Sequence, residues 1–264
     1  MRTRSSRLLT PFILALFSFA FFACFEIEQS IELEEDMSGT ADLKMAVDFE
    51  PVILIMATMQ KQMEGKEGPP TEEELAKARA EFKAQNEAED GDDLPSIEEA
   101  NRELPEGIEL TDMDMVEGET SVKTSFSFSF DHLRKLIGLQ LPSKEKAESE
   151  DPGALESPFE NLELVEGANT FTIRTRPENP ADSVEQQVQD QGAPSDPAME
   201  KMMKEAFRNL RFVWKVTAPF EVVSHNATRV EGNTLIWEYD MERFEMMESS
   251  GSPDEIGIEV TYRR

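Results

Sequence analysis

Two short runs near the start of the chain alternate between apolar and polar residues, and this pattern constrains the fold more than any other feature. The first run covers residues 25–33 and the second covers residues 41–49. Successive side chains of a β-strand point to opposite faces of a sheet, so this alternation predicts two strands with one buried face each. The sequence Asp36-Met37-Ser38-Gly39 between them is rich in turn-forming residues, which predicts a hairpin.

The apolar faces of the two strands suggest how they pair. Placing Leu33 opposite Ala41 sets Phe25 opposite Phe49, and almost every pair on that face is then apolar. A slip of one residue would turn the apolar side chains to the other face, so we expect this register. The second face is expected to be solvated, because it carries Glu26, Glu28, Glu32, Asp42 and Asp48.

Helices are predicted after this hairpin. Pro51 opens an apolar run at residues 52–59 that favours a helix packed on the hairpin, although a buried strand is the alternative for so short a run. Thr71 and Ser96 are each followed three residues later by Glu, the pattern of a capping box. The predicted helices lie near 72–88 and 97–104, within an acidic helical insertion at 65–106.

The tripeptide Val-Glu-Gly occurs three times between strand-like runs, at residues 116–118, 165–167 and 230–232. Glycine readily adopts the positive φ of a tight turn, so we predict three more hairpins. Two-residue loops centred on each Glu-Gly would pair Met113 with Val122, Leu162 with Phe171, and His225 with Glu238. Two further strands are predicted at 210–217 and 256–262.

Two segments have the composition of disordered linkers, namely residues 142–158 and 177–197, which are dominated by Pro, Ser, Gln and acidic residues. A methionine-rich apolar stripe at 199–210 predicts a helix after the second linker. Sequential hairpins and these helices together predict an α+β fold, with a mostly antiparallel sheet and helices packed on one face. We expect one such domain over residues 24–264.

The charge balance is strongly acidic. The chain has 55 acidic and 26 basic side chains, and residues 1–23 hold three of the arginines and no acid, so the remainder has 23 − 55 = −32 charges. Such a surface repels nucleic acid and anionic lipid head groups, so we expect no nucleic-acid partner. The simplest interpretation of the charge is a solvated acidic coat.

Residues 1–23 have the organisation of an export signal. Three arginines precede an apolar stretch from Leu8 to Ala23, and the only cysteine of the chain, Cys24, follows at once. The alternatives are an uncleaved membrane anchor and an ordinary secretory signal followed by a cysteine without a role.

The junction resembles the lipobox of bacterial lipoproteins, with Phe21 and Phe22 in place of the usual Leu and small residue. This resemblance implies a diacylated Cys24 as the first mature residue. The segments at 24–42 and 226–237 are similar to the lipid cysteine, strand and glycine turn, and to the Asn…Gly…Trp hairpin, of LppM-like lipoproteins. That resemblance implies an envelope protein with an α+β domain and no established reaction, in which Gly39 and Gly232 form turns.

Sequence motifs for a chemical site are weak. His132 and His225 are far apart, the acidic segment at 89–93 lacks the spacing of a calcium loop, and we predict no metal and no cofactor. No Gly-x-Ser-x-Gly motif, phosphate loop or dinucleotide fingerprint is present. The alternating serines and phenylalanines at 125–130 favour a strand with a core face, and a binding face is the alternative.

Three functions are therefore considered. The first is a non-enzymatic lipoprotein of the cell envelope, anchored to the membrane through Cys24, that binds or scaffolds a protein partner. The second is a lipoprotein that binds a lipid or another hydrophobic ligand in a cavity between the sheet and the methionine-rich helix. The third is a hydrolase whose site has no recognisable motif; paired carboxyl groups with strongly shifted pKa values would favour it.

Overall fold

A computed structural model describes residues 25–66, 68–89, 95–139, 159, 161–175, 210–243, 246 and 257–264. Cys24, the predicted linkers at 142–158 and 177–197, and the predicted helix at 199–210 apart from its last residue lie outside the described residues.

The described part of the chain is mostly β-sheet, which confirms the predicted α+β class. Its strands are β1 (Phe25–Leu33), β2 (Gly39–Asp48), β3 (Ile108–Glu117), β4 (Ser121–Phe130), β5 (Leu162–Glu166), β6 (Thr170–Thr175), β7 (Arg211–Thr217), β8 (Glu221–His225), β9 (Arg229–Glu231), β10 (Thr234–Asp240) and β11 (Glu259–Arg263). Its helices are α1 (Glu50–Met63), α2 (Glu72–Glu89) and α3 (Ile97–Glu103), with a 3₁₀ turn at Leu133–Lys135.

The strands form two sheets. The large sheet has the order β3-β4-β2-β1-β7-β10-β9, and the small sheet has the order β5-β6-β11-β8. All strand pairings within the described residues are antiparallel except that of β1 with β7, which is parallel. We predicted a sheet covered by helices, whereas buried side chains of the small sheet share a core with those of the large sheet.

The first hairpin has the predicted faces but not the predicted register. Leu33 lies opposite Gly39 and Phe25 opposite Val47, so the pairing is displaced by two residues from the expected one. Phe49 lies beyond β2, at the start of α1. A displacement of two residues keeps each side chain on its face, and for this reason the alternating pattern could not detect it.

In the turn of this hairpin, the residue with a positive φ is Met37 and not Gly39. Met37 has a φ of 70°, and the Asp36 carboxylate accepts a hydrogen bond from the Ser38 backbone N–H at 3.0 Å. Gly39 begins β2, where an added Cβ would overlap the carbonyl oxygen of Glu32. Gly39 is therefore required for the close approach of two backbones.

Replacing Gly39 with alanine is expected to lower the free energy of unfolding by about 1–3 kcal/mol, because a methyl group must displace backbone atoms. Urea unfolding followed by circular dichroism measures the loss. Gly118→Ala is the matched control: its Cβ would meet the Ser121 hydroxyl, which can rotate away. Equal losses for the two variants would contradict this account of Gly39.

The three Val-Glu-Gly hairpins exist, but their loops begin later than predicted. Glu117 pairs with Val122 and Glu166 with Phe171, so the loops are Glu119-Thr120 and Ala168-Asn169, and Met113 and Leu162 lie opposite Phe126 and Thr175. Gly118 and Gly167 donate backbone hydrogen bonds across the last pair of each hairpin. Only Gly232 of the three glycines has a positive φ, 62°.

The third hairpin is shorter than predicted because the chain changes sheets before it. His225 ends β8 and pairs with Val260 in the small sheet, so the expected pair with Glu238 is wrong. After Asn226, β9 enters the large sheet and pairs with β10 around the loop Gly232-Asn233.

The helices predicted near 72–88 and 97–104 are present, and residues 52–59 are helical as favoured. Ser96 and Glu99 form the predicted capping box of α3, and Thr71 and Glu74 form that of α2. Ala100 of α3 joins the main core, whereas α1 and α2 pack on each other around Ile53, Ala57, Ala78 and Phe82.

Candidate functional site at the Phe25 end of the large sheet

The end of the large sheet where β1 begins is called here the Phe25 end. Phe25 pairs with Val47, which pairs with Val122, and the β3–β4 loop Glu119-Thr120 lies beside them. Because β1 is a strand from Phe25 onward, Cys24 is joined directly to this end of the sheet. The predicted start of the strand at Phe25 is confirmed, while Cys24 itself lies outside the described residues.

Burial decreases along the core face of the large sheet toward this end. Ile31, Ala41 and Phe128 form a row across three strands and are fully buried. Two rows nearer the Phe25 end, Ile27 and Met45 are half-buried and Met115 is 41% exposed. The small sheet therefore does not cover the apolar face fully at the Phe25 end.

Gln29 lies on this core face, between the fully buried row at Ile31 and the half-buried row at Ile27. Its side chain is buried between Leu43 on β2 and Trp214 on β7. Its amide oxygen has no hydrogen-bond partner within the described structure. An unpaired buried polar atom costs on the order of 1–3 kcal/mol, so Gln29 is an unusual choice for a core position.

Ion pairs cover the outer face of the sheet. Glu28 of β1 lies 2.8 Å from Lys215 and 3.9 Å from Lys44, in the two neighbouring strands. Arg211 pairs with Glu238 at 2.8 Å and with Glu26 at 2.5 Å. The outer face is thus solvated, as predicted, but many of its acids are neutralised by basic partners.

An open concavity of about 420 Å³ lies on this outer face near the Phe25 end. Glu26, Glu28 and Lys44 line one side, and Asp114 and Lys123 line the other. It carries both signs of charge and is not enclosed. It therefore differs from the apolar cavity that the hydrophobic-ligand hypothesis requires.

The helical hairpin of α1 and α2 also starts at the Phe25 end. The Phe49 backbone N–H donates a 2.7 Å hydrogen bond to the Thr120 carbonyl oxygen, which fixes the start of α1 beside the β3–β4 loop. Glu50 accepts hydrogen bonds of 3.0 and 3.1 Å from the Arg79 guanidinium, which hold the pKa of the Glu50 carboxyl group below its ordinary value.

The histidines predicted from the sequence are not brought together. His132 caps the 3₁₀ turn through a hydrogen bond from Arg134 N–H, and His225 accepts one from Ala227 N–H. Among the described residues, no group of three or more His, Cys, Asp or Glu side chains could hold a metal ion. Asp90–Asp93 of the acidic segment lie outside those residues.

Carboxyl groups of the described residues give no pair of the kind expected for a hydrolase. Wherever a pKa is shifted, it is lowered by hydrogen bonds or basic neighbours, as for Asp36, Glu50, Glu64, Glu74 and Glu166. The side chains of Phe126, Phe128 and Phe130 are buried in the main core, so this strand does not present an aromatic binding face.

Asn226 begins the LppM-like motif at 226–237, but the sequence did not predict its contacts. Its amide oxygen accepts hydrogen bonds from Trp237 Nε1 at 2.5 Å and from the Glu259 backbone N–H at 2.8 Å. Its amide nitrogen donates to the Gly257 carbonyl oxygen at 2.9 Å. Asn226 thereby ties the two sheets together, and the Asn…Trp spacing of the motif was the signal for this contact.

Comparisons with known proteins find a structural neighbour of this chain. The folded domain of LppM from Mycobacterium tuberculosis, solved by NMR, matches with a TM-score of 0.40 and 12% sequence identity, covering 91% of this chain and 90% of that chain. It belongs to the family that the two sequence motifs resemble. No protein-family profile and no curated protein matches the chain. Among the residues that the structure describes, none of the helices has the length and hydropathy of a membrane-spanning segment.

Proposed function

We propose that this chain is a lipoprotein of the bacterial cell envelope, held to the membrane by acyl chains on Cys24. Its domain would bind or scaffold a protein partner beside the bilayer and would not catalyse a reaction. The observation that carries the proposal is the start of β1 at Phe25, one residue after the only cysteine. Such a junction leaves no tether, so the acyl chains would hold the Phe25 end against the lipid surface.

The half-open apolar face at the Phe25 end supports a partner at this position. Its half-buried or exposed side chains are Phe25, Ile27, Met45, Val47, Met115 and Val122. Contiguous apolar surface that is not closed by the domain itself is typical of binding sites. A membrane protein whose apolar surface reaches the interface would fit beside these side chains.

A second candidate function, binding of a hydrophobic ligand, is favoured by Gln29. Its unpaired amide oxygen lies at the inner limit of the half-open apolar face, where a ligand hydroxyl or amide could donate to it. The methionine-rich helix that we expected to close such a cavity lies outside the described residues. A hydrophobic molecule extracted from the purified protein would favour this function over protein binding.

The orientation of the domain can be tested with two labels at opposite ends of the large sheet. Fluorophores on Glu119→Cys and Asn233→Cys would occupy two hairpin loops separated by the length of β1, roughly 26 Å at about 3.3 Å per residue. Quenchers attached to lipids should quench the label at position 119 more strongly, because the acyl chains hold that end near the bilayer.

The control is a freely tethered version of the same protein, with a Gly/Ser linker of about ten residues inserted between Cys24 and Phe25. In that version the difference between the two labels should shrink. Equal quenching of the two labels in the native chain would contradict the proposed orientation.

A further inference from the structure

We propose that α1 inserts into the interfacial layer of the membrane and is a second membrane contact of the domain. This inference rests on the proposed lipid anchor at Cys24. It goes beyond that anchor because it names a surface of the folded domain and the lipid chemistry that the surface contacts.

The charges of α1 are the first observation. Only two of its fourteen residues are charged, Glu50 and Lys61. Glu50 is bound to Arg79 of α2, and Lys61 lies 3.2 Å from Glu74 of α2. The ten residues from 51 to 60 contain no charged side chain. By contrast, nine of the eighteen residues of α2 are charged.

The distribution of burial around α1 is the second observation. Ile53 and Ala57 are buried against α2, as the inner face of a helical hairpin requires. Leu54 and Met63 are 41% and 68% exposed, and Ile55 and Met59 are only half-buried. A solvent-facing helix normally carries charged side chains on its outer face, whereas the polar residues of α1 between positions 51 and 60 are the uncharged Thr58 and Gln60.

The place of α1 in the fold identifies its partner. β2 ends at Asp48, one residue after the pair Phe25–Val47, and the Asp48 carboxylate accepts a 2.9 Å hydrogen bond from the Glu50 backbone N–H. Cys24 immediately precedes Phe25 in the sequence. The proposed anchor and the start of α1 therefore lie at the same end of the large sheet. Acyl chains on Cys24 would bring the lipid surface to this end of the sheet, so lipid is the apolar partner that we assign to α1.

The charge of the domain determines which lipid is expected. Residues 24–264 carry 23 − 55 = −32 charges, so anionic head groups would repel the domain within a Debye length, about 8 Å at physiological salt. The uncharged outer surface of α1 requires no anionic lipid, because an amphipathic helix can bind through its apolar area alone. We therefore assign α1 to a zwitterionic surface.

Depth measurements on the full-length protein test the inference. Single cysteines at Leu54 and Met63 would carry an environment-sensitive fluorophore, in protein whose Cys24 acylation has been verified by mass spectrometry. The acylated Cys24 thiol cannot react with the dye. After reconstitution into phosphatidylcholine vesicles, both labels should shift their emission to shorter wavelength and be quenched by spin-labelled lipid. Lys77→Cys on the exposed face of α2 is the matched control and should remain in water.

A charged residue introduced into α1 distinguishes insertion of the helix into lipid from a position merely close to the bilayer. Leu54→Asp should reduce lipid quenching of the label at position 63 without changing that at position 77, and the exposure of Leu54 makes this substitution compatible with folding. Labels at 54 and 63 that behave like the label at 77 on acylated protein would overturn the role of α1 and leave the anchor intact. So would labels shielded from aqueous quenchers but not reached by lipid quenchers, because a protein would then cover α1. An unacylated Cys24 would instead overturn the proposed function.

Discussion

Replacing Cys24 with alanine is expected to move the protein from the membrane fraction to the soluble extracytoplasmic fraction, or to leave it as a precursor that keeps residues 1–23. Two or three acyl chains hold a protein firmly, whereas one chain gives only marginal, reversible binding. Loss of the thiol removes the site of acylation altogether. Fractionation of cells after a carbonate wash, followed by immunoblotting, measures the change.

Cys24→Ser is the matched control for size and polarity. A serine hydroxyl does not replace the thiol in thioether formation, so this variant should behave like the alanine variant. Ser38→Ala, in the turn after β1, should remain in the membrane fraction. If the alanine variant has lost residues 1–23 and still resists the carbonate wash as well as the native protein does, the membrane contact does not depend on Cys24.

Trp237→Ala is expected to cause the largest loss of stability, about 3–5 kcal/mol in the free energy of unfolding. Trp237 is completely buried in the main core, and its indole N–H donates to the Asn226 amide oxygen. The substitution leaves a large cavity and removes the donor that holds Asn226 between the sheets. Urea unfolding monitored by circular dichroism gives the value.

Two further variants divide this loss into packing and hydrogen bonding. Trp237→Phe keeps much of the volume but lacks the donor, and Asn226→Ala lacks the acceptor. In a double-mutant cycle the two should couple by about 0.5–3 kcal/mol, since they share a contact. Lys123→Ala on the outer face should change the stability by less than about 0.5 kcal/mol. Additive losses for Trp237→Phe and Asn226→Ala would show that the indole–amide hydrogen bond does not join the sheets.

The local pattern of the sequence predicted the faces of the first hairpin but not its register. Alternation distinguishes odd from even positions, and a displacement of two residues leaves that distinction unchanged. The turn geometry decides between such registers. Here it depends on a positive φ at Met37, a residue type that gives no signal for this conformation.

The Val-Glu-Gly repeats were informative about hairpins and misleading about loops. Gly118 and Gly167 were predicted to form the turns, yet each lies in the final pair, beside Ser121 and Thr170. Their lack of a side chain makes room for the hydroxyl groups opposite them. A glycine can be required either for a positive φ in a turn or for room beside a neighbouring group. The sequence looks the same in both cases, and only the structure distinguishes them.

Local sequence patterns could not predict which distant strands pair with each other. The parallel pairing of β1 with β7 joins residues 185 positions apart, such as Glu26 and Arg211. The break after His225, where the chain passes from the small sheet to the large one, also depends on which strands are available to pair. The sequence shows that residues 52–59 of α1 form an apolar run. It does not show that part of this run is exposed, because the run is equally compatible with burial.

The central claim is that the chain is anchored through Cys24 at the Phe25 end of its sheet, and the mass of the amino-terminal peptide of the purified protein tests it most directly. The account predicts a peptide that starts at Cys24, carries a diacylglyceryl group on its thiol and continues with Phe25. A peptide that starts at Met1, or one that contains an unmodified Cys24, would contradict it.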